Sequence, residues 1–166
     1  MHTIRKATIT DLPFIKEVMN HNILHSTAIY DYDIKTDVEI MQWFQDKQNG
    51  NWPVILAEEN GRLLGYATYG TFRFKDGFKP TVEHSVYVSE TAHGKGIGRL
   101  LLSHLIDLCR SEGYHCMVGC IDADNAGSIA FHKKFGFTEA GVLKEVAYKF
   151  NKWLDLQFMQ LLLDKS

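Results

Sequence analysis

The chain has 166 residues, a formal net charge of −2, and 45% hydrophobic and 23% charged residues, the profile of one globular domain spanning residues 1–166 with a single sizeable core. So balanced a charge excludes the basic field that holds a phosphate backbone, and nucleic acid is not an expected partner. Cys109, Cys116 and Cys120 lack disulfide or paired zinc spacing, no run nears the roughly 18 apolar residues of a membrane span, and residues 1–6 lead into no apolar signal core, so the expected place is the cytoplasm.

In chain order, residues 3–7 have strand character, and Thr10 or Asp11 is placed to cap a helix whose buried stripe is Leu12, Ile15, Val18, Met19 and Ile23. Thr36-Asp37-Val38-Glu39 matches a capping box, so a second helix runs to about Gln48 behind the apolar face Ile40, Met41, Trp43 and Phe44. Residues 53–58 and 62–71 are strand-like and joined by Asn60-Gly61, the pair best able to take positive φ in a two-residue hairpin turn. Residues 81–88 form another strand by their β-branched and aromatic content. A long helix then shows Ile97, Leu100, Leu101, Leu105 and Leu108 at helical spacing until Gly113, and residues 115–121 return as a strand. A short helix over residues 125–135 ends at Gly136, and residues 137–163 divide into two strands. The expected fold class is α/β, with a mixed sheet of six to seven strands and about four helices.

The segment with the most chemistry in it is the turn between the strand ending at Val88 and the long helix: His93-Gly94-Lys95-Gly96-Ile97-Gly98-Arg99. Glycines permit positive-φ turns, and N–H groups at a helix N-terminus make a positive concavity suited to a pyrophosphate. Such glycines also serve merely to turn the chain tightly, so position matters more than composition. The spacing is not that of a P-loop, and Arg99 stands where a dinucleotide fingerprint needs its third glycine or alanine. Asp122 imitates a ribose-binding acid, yet only one βαβ unit is visible instead of two linked halves.

A strand, a glycine turn of this form, a helix, a strand, then Asn125 and Gly136-Phe137 together resemble the GNAT acetyltransferase superfamily over essentially the whole chain. More narrowly, Val82-Glu83-His84-Ser85-Val86-Tyr87-Val88, Asn125, Ser128, His132 and Gly136-Phe137 are similar to phosphinothricin and methionine sulfoximine or sulfone N-acetyltransferases. The resemblance implies acetyl-CoA as co-substrate, with Val86, Tyr87 and Val88 along its pantetheine, the amides of Gly94, Lys95, Gly96, Ile97, Gly98 and Arg99 at its pyrophosphate, and His93 in the cofactor set. His93 stands where the family usually has Gln or Arg. Asn125 and Ser128 join the cofactor set, although Asn125 reads equally as a helix cap.

Amine acylation needs a base for the amine, donors for the oxyanion and a proton for the leaving thiolate. The resemblance assigns Glu83 as base, the Val88 amide as oxyanion donor and His132 as thiolate acid. An amino-acid substrate also needs a cation for its carboxylate, which Arg73 offers between Phe72 and Phe74, with Lys75 as a weaker candidate, and Tyr30 is similar in position to pocket aromatics of the subfamily. Surface or core packing accounts equally for these residues. The eight histidines lack ligand spacing, and no metal is expected. The expected activity is N-acetylation of a small amino-acid-like molecule by a homodimer, with protein N-terminal or lysine acetylation and non-catalytic acyl-CoA binding as alternatives.

Overall fold

The computed structural model describes residues 1–163. Seven strands form one sheet: β1 (His2–Lys6), β2 (Val54–Glu59), β3 (Arg62–Thr71), β4 (Thr81–Val88), β5 (Cys116–Asp122), β6 (Thr138–Lys149) and β7 (Lys152–Leu162), in the spatial order β1-β2-β3-β4-β5-β7-β6. Four α-helices flank it, α1 (Leu12–His25), α2 (Asp37–Asn49), α3 (Ile97–Ser111) and α4 (Ala126–Lys133). All neighbours are antiparallel except β4 and β5, the pair bridged by α3.

Local chemistry sets the boundaries. Asn60 and Gly61 close the β2–β3 hairpin at φ 51° and 79°, as their turn preference predicts. Thr36 accepts a hydrogen bond from the Glu39 amide while Glu39 reaches back to Thr36, completing the capping box. The capping of α1 differs from expectation. Asp11 makes no side-chain cap for α1; its carboxylate takes the Thr8 amide at 2.7 Å and the Arg5 guanidinium in a two-pronged pair at 2.8 Å.

Apolar residues collect on both faces of the sheet. On one, Leu12, Ile15, Val18, Met19 and Ile23 of α1 join Ile40 and Phe44 of α2 against Val54, Leu56 and Tyr66. On the other, α3 packs on Ile55, Ala57, Ala67 and Val82 through Ile97, Leu101, Leu102, Leu105, Ile106 and Cys109. The α3 stripe is rotated from the sequence expectation: Leu100 and Leu108 are only half-buried. Neighbouring apolar positions in this helix give two overlapping stripes, and contact with the sheet selects the one carrying Leu102 and Ile106.

Candidate active site

Strands β4 and β5 pair only at Thr81↔Cys116, Val82↔Met117 and Glu83↔Val118, and then part. On its other edge β4 stays paired with β3 as far as Gly65↔Val88, and the Ser89 amide donates to the Leu64 carbonyl at 2.9 Å. Backbone groups alternate sides along a strand. With Ser89 directed to β3, the N–H and C=O groups of Val86 and Val88 point the other way, into the opening that β5 leaves. The Val88 amide therefore faces the opening, as an oxyanion donor must.

The opening continues into a cleft of about 1040 Å³ that reaches the glycine turn. Of the residues singled out in the sequence, it is lined by Tyr30, Glu83, Val86, Tyr87, Val88, His93, Gly94, Gly96, Ile97, Gly98, Arg99, Asn125, Ser128 and His132. Gly94 and Gly96 both sit at φ 76°, and open space lies where a Cβ would be at either. A pyrophosphate fits such a bare, left-handed turn leading into the free amides at the start of α3. Lys95 lies in the turn but does not line the cleft. The side chain of His93 closes the corner, its Nε2 3.1 Å from the Val88 carbonyl, so it ties the end of β4 to the turn. Asn125 caps α4 by accepting the Ser128 amide at 3.0 Å and faces the cleft from that position.

Side chains along β4 alternate between faces. Val82, His84, Val86 and Val88 belong to the α3 side, and Glu83, Ser85 and Tyr87 to the α1–α2 side. Glu83 is half-buried, next to Cys120, whose thiol is pushed up to about 12 by burial and then by the Glu83 charge, against an opposing pull from Arg73. Tyr30 places a buried hydroxyl without a protein partner near Asp122 and Cys120, and burial raises it to about 12. A second hollow of about 490 Å³ on this face is lined by Trp43, Lys47, Tyr66, Thr68, Ser85 and Tyr87. Lys47 lies above Gly70, its Nζ donating to the Tyr69 carbonyl at 3.1 Å, and burial draws it down to about 8 while Glu83 opposes.

On the cofactor side, His132 is buried and both its nitrogens are engaged: Nδ1 lies 2.7 Å from the Ser128 carbonyl and Nε2 lies 3.1 Å from Nε2 of His84. Burial lowers both imidazoles, His84 to about 3. Both ring nitrogens of His132, the residue expected as thiolate acid, are thus within hydrogen-bond distance of protein partners.

The loop carrying Phe72, Arg73, Phe74 and Lys75 does not line the cleft. Arg73 stacks over Phe72 at 4.3 Å and donates to its carbonyl at 2.7 Å, while Phe74 is 96% exposed. The pull of Arg73 on Cys120 places its charge near the site. Asp122, the ribose-acid mimic, is committed to structure, accepting from Thr27 Oγ1 at 2.6 Å and the Asp124 amide at 3.0 Å. The sequence pattern includes His84 in the subfamily motif and among the eight histidines without a role of its own, and gives no part to Gly119 or Lys47. Period-two alternation around Glu83 was the available signal for His84, since it puts that imidazole opposite the carboxylate. Among the described residues no helix is long and apolar enough to cross a membrane, and no group of three or more His, Cys, Asp or Glu is arranged to hold a metal ion.

Comparison with known proteins agrees with this geometry. The chain is 48% identical to an L-methionine sulfoximine/L-methionine sulfone acetyltransferase of Salmonella typhimurium, over 98% of this chain and 95% of that one. It superposes with a TM-score of 0.95 on a GNAT superfamily phosphinothricin acetyltransferase of Sinorhizobium meliloti in complex with acetyl-CoA, at 34% identity, covering 99% of this chain and 89% of that one. A ribosomal-protein-alanine N-acetyltransferase of Brucella melitensis gives a TM-score of 0.95 at 42% identity, over 97% and 99% of the two chains. The family profile of the acetyltransferase (GNAT) domain matches residues 4–158. With a splayed β4–β5 pair, a glycine turn at the mouth and a matching profile along nearly its whole length, the chain belongs to the GNAT acetyltransferase family.

Proposed function

We propose that the chain is an acetyl-CoA-dependent N-acetyltransferase acting on the α-amino group of a small amino acid of the methionine sulfone, methionine sulfoximine or phosphinothricin type. The observation that carries this reading is the gap between β4 and β5, which joins a glycine-floored cleft on one face to Glu83 on the other. Gly94, Gly96, Ile97, Gly98 and Arg99 hold the pyrophosphate, and the outward backbone groups of Val86 and Val88 hold the pantetheine. Bound there, acetyl-CoA supplies the thioester whose acyl carbon the amine attacks. Glu83 takes the ammonium proton so that the neutral amine attacks, the Val88 amide steadies the charge developing on the carbonyl oxygen, and as the C–S bond breaks the sulfur, bordered by His132 on the cofactor face, leaves as CoA thiol with the proton shed by the acylated nitrogen. The acceptor approaches from the α1–α2 face, where Tyr30 and Tyr87 form aromatic walls and Arg73 is the proposed carboxylate partner.

Replacing Glu83 by Gln keeps its size and removes its basicity. The kcat for CoA-thiol release is expected to fall by about 10²–10⁴-fold with acetyl-CoA affinity retained. Wild-type kcat in Glu83→Gln, with chemistry shown to be rate-limiting, excludes Glu83 as the base. A second reading, acetylation of a protein N-terminus, is favoured by the likeness to the Brucella enzyme. Assaying free methionine sulfone and phosphinothricin beside an alanine-ended peptide separates the two, and preference for the peptide overturns the small-molecule assignment. We also propose a cytoplasmic homodimer. Val142, Leu143, Val146, Tyr148 and Trp153 leave an exposed apolar strip along β6 and β7 that supports the dimer, and sedimentation as a monomer at micromolar concentration refutes it.

A further inference from the structure

His84 and His132 are 48 residues apart in sequence, yet their rings meet with centroids 5.0 Å apart, planes 24° from parallel and Nε2 atoms 3.1 Å apart. Gly119 of β5 lies beside this contact. A Cβ there would stand 3.1 Å from His84 Nε2 and 3.4 Å from His132 Nε2, so a side chain would press on the junction itself.

Proton positions follow from the partners. A carbonyl oxygen only accepts, so at 2.7 Å from the Ser128 carbonyl the His132 Nδ1 carries a hydrogen. In the neutral ring Nε2 is then a lone pair, and the 3.1 Å contact requires His84 to donate Nε2–H. The remaining nitrogen, His84 Nδ1, is a buried lone pair without a partner. A further proton has no low-cost place. Two N–H groups cannot face each other across the junction, so charging either ring puts a hydrogen on His84 Nδ1, where nothing accepts it.

We infer that His84 is a positioning residue for the acetyl-transfer site: its Nε2–H bond holds His132 as a neutral, acceptor-only imidazole in one ring orientation, in a space that Gly119 keeps clear. The inference rests on the placement of His132 beside the reacting sulfur. It departs from the sequence expectation in the direction of the proton, because the locked ring presents a lone pair and no donor. Glu83 and His84, successive residues on β4, thus serve the two faces of the sheet.

The test begins with the wild-type protein. Long-range ¹⁵N–¹H spectra of the histidine rings are expected to show Nδ1–H for His132, Nε2–H for His84 and a coupling across the Nε2–H···Nε2 bond, all unchanged by bound acetyl-CoA. An Nε2–H on His132, or a cationic ring near neutral pH, overturns the inference without any variant. His84→Gln keeps an N–H at similar reach and His84→Leu does not. Loss of alignment by about 1 Å costs up to about 10²-fold, so His84→Leu is expected to lower kcat about 10- to 100-fold while the acetyl-CoA KM stays within about twofold, and His84→Gln is expected to recover most of kcat. Gly119→Ala, which parts the rings, should abolish the coupling and reproduce His84→Leu. Equal kcat in Gln, Leu and wild-type proteins overturns the positioning role. Failure of the underlying site reading looks different: His132→Phe then keeps wild-type kcat while the wild-type tautomers remain as inferred.

Discussion

At Gly65 the backbone of β3 comes so near β4 that an added methyl has no room. A Cβ at this position would lie 2.7 Å from the Tyr87 carbonyl oxygen, 3.1 Å from the Val88 Cα and 3.2 Å from Leu101 Cδ1. The Leu101 methyl belongs to a flexible side chain, but the first two atoms are backbone of the strand carrying the proposed oxyanion donor. Ordinary contact starts near 3.4 Å, so Gly65→Ala must push β4 back by about 0.7 Å at the Tyr87 carbonyl oxygen and about 0.3 Å at the Val88 Cα. Overpacking of this kind costs about 1–3 kcal/mol, a Tm loss of several degrees for a chain of this size. Catalysis suffers more, because an oxyanion donor works over about 2.7–3.1 Å and a misplacement near 1 Å can cost 10²-fold. We expect Gly65→Ala to remain folded, to bind acetyl-CoA at the glycine turn with little change, and to lose about 10- to 100-fold in kcat for CoA-thiol release. Calorimetric acetyl-CoA affinity, circular dichroism and steady-state turnover together make the test. Wild-type kcat in a folded Gly65→Ala protein would refute the claim that Val88 placement limits the reaction.

The remaining predictions concern the turn and the first strand. Gly96→Asp sets a carboxylate at the left-handed position of the pyrophosphate turn, whereas Gly96→Asn carries the same backbone cost without the charge. Calorimetry should show acetyl-CoA affinity collapsing in Gly96→Asp and falling modestly in Gly96→Asn, and equal affinities would remove the pyrophosphate assignment. Asp11 is buried and is lowered from 3.8 to about 2, chiefly by its hydrogen bonds to Arg5. Because the unfolded chain takes up that proton more readily, the stabilisation is full above pH 4 and disappears as pH falls through 2, amounting to about 2 kcal/mol at neutral pH. Urea unfolding should therefore show Asp11→Asn less stable than wild type by about that amount at pH 7, with the difference shrinking between pH 4 and pH 2; a constant difference would contradict the linkage.

Elements with a strong local signature were legible in the sequence. The 81–88 strand, the Asn60-Gly61 hairpin and the Thr36 capping box each depend on residues within a few positions of one another. The glycine turn was legible too, because positive φ is written in residue type. Tertiary choices were less accessible. Contact with the sheet, rather than helical spacing, decided that Ile106 of α3 is buried and Leu108 half-buried. The meeting of His84 with His132 depends on how α4 lies over β5 and on Gly119 leaving the space, neither of which a local pattern records. The 72–75 loop was legible only as a cation between aromatics: the structure rests the Arg73 guanidinium on Phe72 and leaves Phe74 in solvent, a placement that no local pattern records and from which Arg73 is proposed to reach the acceptor's carboxylate.

The alternation along β4 makes the sheet a partition one residue thick between the two reactants of the proposed transfer. In the proposed reading Glu83 and Tyr87 look into the acceptor compartment and His84 and Val88 into the cofactor compartment, and the two communicate where β5 has drawn away. The acceptor wall is built largely from α1, α2 and the loop between them, while the cofactor wall is built from α3 and α4. New acceptor preferences can therefore be selected in residues 22–47 without disturbing the machinery that presents the thioester, and a family built on this partition can diversify its amines while keeping one acyl donor.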